Sequence, residues 1–239
     1  MKLLAFDTST ELISIAGTRP VDGEARVWQH TGAGGAQASS ALIPAIEVLM
    51  AEADLAFEQL DAIAFGRGPG SFTGLRTACA VAQGLGFGAG VPLLPVDTLL
   101  AVAEEARLQQ APQAARLRVL ALLDARMDEL YAAPYEYADG RWQAQGEVRL
   151  CKPEQIEAQD IEALAGNVFA EYGERLPMPA TMPCWQALPT AAAMLRLAPA
   201  LLAAGNAVTA ELALPLYIRD KVALTTEERA AAKALTSRP

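Results

Sequence analysis

Short apolar runs that end on a carboxylate open both halves of the chain. Leu3-Leu4-Ala5-Phe6 runs into Asp7, and a second apolar run, Leu12-Ile13-Ser14-Ile15-Ala16, is followed by a turn at Asp22-Gly23 and then Val27-Trp28. In mid-chain, Val119-Leu120-Ala121-Leu122-Leu123 runs into Asp124, followed by Leu130-Tyr131-Ala132-Ala133, a turn at Asp139-Gly140 and Trp142. Asp-Gly between β-rich runs is a hairpin signal. The interval from the strand-end Asp to the Asp-Gly turn is the same in both copies, and an acidic residue follows each strand-end Asp four places on, at Glu11 and Asp128. The pattern predicts a duplicated three-stranded meander.

Between the copies the period changes to that of helices. A helix capped by Ser39 or Ser40 is expected to run to about Ala53, with Leu42, Ile46, Leu49 and Ala53 on one face and Pro44 in its first turn or so. Residues 61–65 read as a buried strand, 73–88 as a helix after a glycine-rich turn, 91–96 as a strand and 98–109 as a helix. After the second meander come a short strand around Asn167-Val168-Phe169, an irregular proline-rich stretch from Pro177 to Pro189, and an Ala/Leu-rich helix from about Thr190 to Ala204. The segment Pro215 to Asp220 reads as extended, and Thr225 to Pro239 as a capped helix or a frayed end. This is the α/β plan of the actin/Hsp70/sugar-kinase superfamily. We assign an N-terminal lobe to residues 1–104 and a reduced second lobe to 105–239, whose last helices return toward the first.

Composition narrows the chemistry. The net charge is −9 and no run of Lys or Arg forms a stripe. Nucleic-acid affinity comes largely from Lys and Arg that displace counterions from phosphate, so unaided RNA binding is not expected. His30 is the single histidine, placed at a strand end before Thr31-Gly32-Ala33-Gly34-Gly35; zinc hydrolases and Ser-His or Cys-His pairs need imidazole in a defined place. Cys79, Cys151 and Cys184 form no CxxC, so neither a zinc site nor a disulfide framework is suggested. The N-terminal apolar run is too short for a signal peptide and no stretch is long enough to span a membrane. A cytoplasmic location is expected.

Three segments carry candidate chemistry. In Gly66-Arg67-Gly68-Pro69-Gly70-Ser71-Phe72-Thr73-Gly74-Leu75-Arg76, the glycines either let backbone amides cradle an anion at the helix start or permit a tight strand-to-helix turn. No Gly-Lys-Ser/Thr closes a P-loop. Asp7-Thr8-Ser9-Thr10 stands where actin-like ATPases bring a phosphate and its magnesium, but Ser9 replaces their usual glycine; the alternative is an Asp bonding its own turn. Arg126, in Asp124-Ala125-Arg126, could bind an anion or pair with Asp124. Asp7, Thr8, Ser9, Arg67, Gly68, Gly70, Ser71, Arg76 and Arg126 are thus the candidate anion or nucleotide contacts.

These same residues carry a family resemblance. The glycine-rich segment from Ala64 to Arg76, the opening Leu4-Ala5-Phe6-Asp7-Thr8-Ser9-Thr10, the corner Asp124-Ala125-Arg126-Met127 and the closing Pro215-Leu216-Tyr217-Ile218-Arg219 resemble the signatures of the TsaB (YeaZ) family. The resemblance implies a catalytically inert scaffold subunit of the bacterial machinery that puts threonylcarbamoyl on tRNA adenosine. It implies pairing with the related transferase TsaD and, through it, with the ATPase TsaE, tRNA being met only indirectly, and a homodimer when the chain is alone. In TsaD-like proteins a helix carries two metal-binding histidines; the corresponding positions here are Thr98 and Val102, which cannot replace them. The chain is accordingly expected to hold no metal and no cofactor of its own, with ATP or ADP expected at the shared interface of the complex. The competing readings are a stand-alone actin-like ATPase or small-molecule kinase, against which Ser9 and the reduced second lobe argue, and a peptidase, against which the lone His30 argues.

The helix after the glycine loop is the expected centre of the partner interface. Ala78, Ala82 and Gly86 form one row of small residues and Ala80, Gly84 and Gly88 another, nearly opposite. A helix apolar all round must be covered all round, and each glycine costs roughly 1 kcal/mol relative to alanine. Leu42, Ile46 and Leu49, with Ala78, Ala80, Ala82, Gly84 and Gly88, are the expected interface residues; the alternative is that both rows are satisfied within the chain.

Overall fold

In the computed structural model, which describes residues 1–219, the two meanders build two sheets. The first contains β1 (Leu3–Asp7), β2 (Leu12–Val21), β3 (Glu24–Ala33), β4 (Ala62–Gly68) and β5 (Leu93–Asp97), in the order β3-β2-β1-β4-β5. The second contains β6 (Arg116–Arg126), β7 (Glu129–Ala138), β8 (Arg141–Ala144), β10 (Ala163–Gly166) and β11 (Cys184–Gln186), with the path β8-β7-β6-β10-β11; β9 (Arg149–Cys151) pairs with β7. The two paths are equivalent position by position: an antiparallel meander, then two parallel strands on the far side of its first strand. Both Asp-Gly turns have left-handed backbone at each central residue, Asp22-Gly23 at φ 53° and 87° and Asp139-Gly140 at 52° and 75°, as a two-residue hairpin requires. The duplication and the superfamily plan are thus present in the fold.

Among the described residues five α-helices complete it: α1 (Ala38–Glu52), α2 (Phe72–Ala89), α3 (Thr98–Gln110), the short α4 (Phe169–Tyr172) and α5 (Ala191–Ala203). Period-two alternation sends Leu4, Phe6, Ile13, Ile15, Ile63 and Phe65 to one face of the first sheet, against α1 and α2. The opposite residues, Leu3, Ala5, Ala16, Ala62 and Ala64, are mostly alanines and receive α5. Helix α3 covers the facing side of the second sheet through Leu99, Val102, Ala103 and Ala106. The stack is therefore α1 and α2, sheet, α5 and α3, sheet. The outer face of the second sheet is closed by Ile156, Val168, Tyr172 and Leu176 from α4 and irregular chain, which is the form its reduction takes. Position 104/105 falls inside α3. Among the described residues no helix is long and apolar enough to cross a membrane.

Several local expectations need correction. Helix α1 begins at Ala38 after Gln37, with no side-chain cap, so Ser39 and Ser40 lie in its first turn and Pro44 in its second. The strand expected at 167–169 is Ala163–Gly166, where small side chains fit between β6 and β11; Val168 and Phe169 instead lead into α4. The stretch from Pro177 to Pro189 contains β11, whose parallel pairing with β10 comes from tertiary context. His30 lies within β3, exposed, opposite Ile15. The reading of Thr225 to Pro239 lies outside the described residues.

A buried polar cluster joins α3 to α5 and to β8. Glu104, 3% exposed, accepts hydrogen bonds from Arg107 at 2.9 and 3.1 Å, from the Trp142 indole at 2.9 Å and from Arg196 at 2.8 Å. Burial alone would raise the Glu104 carboxyl, but these donors outweigh it and hold it below the usual carboxylate value. Neighbouring Glu105 accepts from Thr190 and Arg196, both at 2.7 Å. Removing one member of a buried ion cluster leaves the others uncompensated. Glu104→Ala is expected to lower unfolding free energy by about 3 kcal/mol or more in urea titration. Arg116→Ala, at an exposed ion pair with Glu136, is expected to cost less than about 1 kcal/mol.

Candidate functional site

The two strand-end turns meet at a cleft between the lobes, which the chain lines with its own paired groups. At the first lobe, Asp7, Thr8 and Ser9 are 1%, 0% and 3% exposed. Asp7 Oδ1 accepts from the Ser9 backbone N–H at 2.9 Å and from Ser9 Oγ at 2.6 Å, so this Asp bonds its own turn. Thr8 Oγ1 donates to the Gly74 carbonyl at 2.7 Å. The turn lies directly on the glycine-rich segment: a Cβ at Gly66 would collide with Asp7 Oδ2, at Gly70 with Ser9, and at Gly74 with the Thr8 carbonyl. Ser71 donates its N–H to the Ser9 carbonyl at 2.8 Å and caps α2 by accepting from the Gly74 N–H at 3.2 Å. Glycine at these positions thus serves close packing of two backbones.

Arginines fix the rest. Arg67 Nε lies 2.5 Å from Asp97 Oδ1. Arg76 lies 3.9 Å over the Phe72 ring and donates to Tyr217 Oη at 3.0 Å. Gly68, at φ 122°, allows the Leu216 carbonyl to approach, and the Leu216 N–H donates to the Arg67 carbonyl at 2.7 Å. The closing segment 215–219 is therefore a strap across the lobe boundary, anchored at its far end by Arg219 to Glu129 at 2.6 Å and to the Arg126 carbonyl at 3.2 Å.

At the second lobe Arg126 pairs with Asp124 at 3.2 Å and, across the cleft, with Glu11 at 2.6 Å. Arg126, Met127 and Asp128 all have left-handed backbone, φ 60°, 58° and 64°, costly for residues with a Cβ. The corner is held by the Arg126 N–H on Asp124 Oδ1 at 2.8 Å and by the pairing of Asp128 with Arg175. What remains between the two strand-end turns is a cavity of about 70 Å³ lined by Ser9, Glu11, Gly70, Asp124, Arg126 and Asn167. Each candidate anion contact thus has an intramolecular role in the structure. Sequence reasoning missed the Glu11–Arg126 bridge, although Glu11 had been noted for its spacing. No local pattern could have joined residues so far apart in the chain.

The expected interface residues divide. Leu42, Ile46, Leu49, Ala78 and Ala82 are 0–2% exposed in the core of the first lobe, so no partner reaches them; this corrects their assignment to a surface. Ala80, Gly84 and Gly88 are exposed, and a Cβ at either glycine would meet open space. Phe87 beside them is 78% exposed. The first small row packs within the chain and the second is left uncovered. Thr98 and Val102 are both fully buried.

Comparison with known proteins agrees with this arrangement. Residues 33–236 match the family model described as TsaD, tRNA N6-adenosine threonylcarbamoyltransferase. The tRNA threonylcarbamoyladenosine biosynthesis protein TsaB of Haemophilus influenzae is 34% identical, covering 93% of this chain and 95% of that protein. The chain belongs to the TsaB (YeaZ) family. TsaB of Escherichia coli is 32% identical over 93% of this chain and 96% of its own length. The solved structure of YeaZ from Pseudomonas aeruginosa superposes with a TM-score of 0.79 at 38% identity, covering 90% of this chain and 99% of that one.

Asp7 gives the site a pH signature. Its Oδ2 is buried with no hydrogen-bond partner among the described residues, and burial pushes its pKa up to about 6 against the Ser9 hydrogen bonds that lower it. A carboxyl raised on folding favours the folded state at low pH and loses that contribution as pH rises through the folded pKa. Comparing Asp7→Asn with wild type removes the background of other carboxylates. Between pH 4 and pH 7 the stability difference is expected to move in favour of the variant by up to about 3 kcal/mol, read by denaturant titration at each pH. A pH-independent difference would show that Asp7 keeps an ordinary pKa.

Proposed function

We propose that this chain is a non-catalytic scaffold subunit for threonylcarbamoylation of the adenosine next to the anticodon in tRNAs, pairing with TsaD and through it with TsaE. The names of its relatives place the family in tRNA threonylcarbamoyladenosine biosynthesis. The observation that carries the non-catalytic reading is the Arg126 bridge. Where an actin-like ATPase would admit a phosphate, this chain holds a guanidinium ion-paired to Asp124 and Glu11, with about 70 Å³ of space beside it. Ligand sites for drug-sized molecules run from about 300 to 1,000 Å³. Thr98 and Val102, packed into the core, supply no imidazole at the positions matched to the histidines of TsaD-like proteins. ATP or ADP, where the complex uses it, belongs to a site shared with the partner.

The exposed row Ala80, Gly84 and Gly88 with Phe87 supports α2 as the pairing surface, in the complex and in a homodimer of the free chain. Small residues let a partner helix approach the backbone, and an exposed phenylalanine gains from being covered. The net charge of −9 supports tRNA contact through the partner rather than directly. A cytoplasmic location accords with that role.

Two tryptophan variants test the surface. Ala82→Trp forces a large ring into the core and is expected to unfold the chain, seen as loss of the circular dichroism transition. Gly84→Trp is expected to keep the fold and its thermal midpoint while abolishing co-elution with TsaD and tRNA modification by the assembled system. Normal co-elution of folded Gly84→Trp would place the pairing surface elsewhere. The isolated chain is expected to hydrolyse no ATP above buffer; turnover that disappears on mutating Asp7 would instead establish the stand-alone ATPase.

A further inference from the structure

Beside the filled cleft lies a second cavity, of about 250 Å³, roofed by the strap and walled by Phe72, Leu75, Met127 and Ile218. Hydrogen-bonding groups border it without partners among the described residues. At the start of α2 the N–H of Gly74 bonds Ser71 Oγ and that of Leu75 bonds the Ser71 carbonyl, but that of Phe72, at the cavity wall, has no acceptor among the described residues. The hydroxyl of Tyr131 makes no hydrogen bond either, although Tyr131 is only 7% exposed and lines both this cavity and the small cleft beside it. An unpaired tyrosine hydroxyl can donate to an anion, and the first amides of a long helix favour negative charge. Burial pushes the Tyr131 phenol upward, so it stands as a donor.

The remaining polar wall is Arg126 and Arg219. Both are already paired, Arg126 with Glu11 and Asp124 and Arg219 with Glu129, so they offer partial positive potential and no free cation for a multiply charged group. The rest of the lining is apolar apart from Ser71, whose hydroxyl caps α2, and Tyr217, whose hydroxyl accepts from Arg76. We propose that this cavity binds a small monocarboxylate with a compact apolar body. Its carboxylate accepts from Tyr131 Oη and the Phe72 amide that opens α2, and its apolar part lies against Phe72, Leu75 and Ile218. The volume, just under the ~300–1,000 Å³ of drug-sized sites, sets the ligand below a nucleotide in size. Such a ligand touches both lobes and the strap at once, so its binding is felt at the strap that joins them.

The test uses the full purified chain with phenylacetate and 4-methylpentanoate as probes and phenylacetamide as the uncharged control. Titrations are followed by calorimetry and by amide chemical shifts. Saturable carboxylate binding is expected, with shifts centred on Phe72, Thr73, Tyr131 and Ile218, and binding of phenylacetamide at least tenfold weaker. Tyr131→Phe, which removes only the hydroxyl, is expected to weaken phenylacetate at least tenfold. Ile218→Trp, which fills the cavity from the strap, is expected to abolish binding with the circular dichroism spectrum unchanged. Absence of saturable binding by both carboxylates overturns the proposal, as does equal affinity for phenylacetamide or wild-type affinity in folded Tyr131→Phe.

Discussion

The contact on which the rest of this molecule depends is the one between the turn after β1, Asp7 to Ser9, and the segment from Gly66 to Gly74. Two backbones lie so close that a methyl group at Gly66, Gly70 or Gly74 would strike the opposing chain. That approach buries Asp7, Thr8 and Ser9, sets the angle at which α2 leaves the sheet, and lets Ser71 bond the Ser9 carbonyl while capping the helix. It also leaves Asp7 Oδ2 buried with no donor nearby among the described residues. The glycines thus allow a tight junction whose cost is a carboxyl held out of water, and that cost is offset by the packing of the sheet and of α5 above it.

The second copy of the turn has taken a different form from the first. Its corner carries side chains where the first copy has a compact turn, three consecutive residues take left-handed backbone, and Arg126 reaches across to Glu11. Strain of this kind persists only where neighbours fix it, here Asp124, Arg175 on Asp128 and the Arg219 guanidinium on the Arg126 carbonyl. Together with the Glu104 cluster between α3 and α5, these contacts tie the lobes at both ends of their boundary. The boundary between the two lobes is thus bridged by the chain's own side chains.

Much of this was legible from the chain. Strand-end carboxylates, repeated Asp-Gly turns and a change of hydrophobic period suffice to place both meanders and the alternating helices, because hairpin geometry and amphipathic periodicity are local properties. The proline-rich stretch after α4 hid β11, and β10 was displaced onto Val168 and Phe169, because parallel edge pairing depends on a neighbour strand and not on the segment's own composition. The two rows of α2 were visible as rows. Which of them faces the core depends on where the sheet lies, and so Ala78 and Ala82 were assigned to a surface they do not reach.

The sequence by itself determined the duplicated α/β plan, the family, and the residue types available for chemistry, since these follow from local pattern, spacing and inventory. The tertiary structure alone decided which groups those residues meet. Arg126 could bind an anion or an acid, and the glycine segment could cradle a phosphate or a backbone; each choice turned on groups more than fifty residues distant, Glu11 in one case and Asp7 to Ser9 in the other. Charges and close contacts act through space, and only the packed fold brings those partners within a few ångströms of one another.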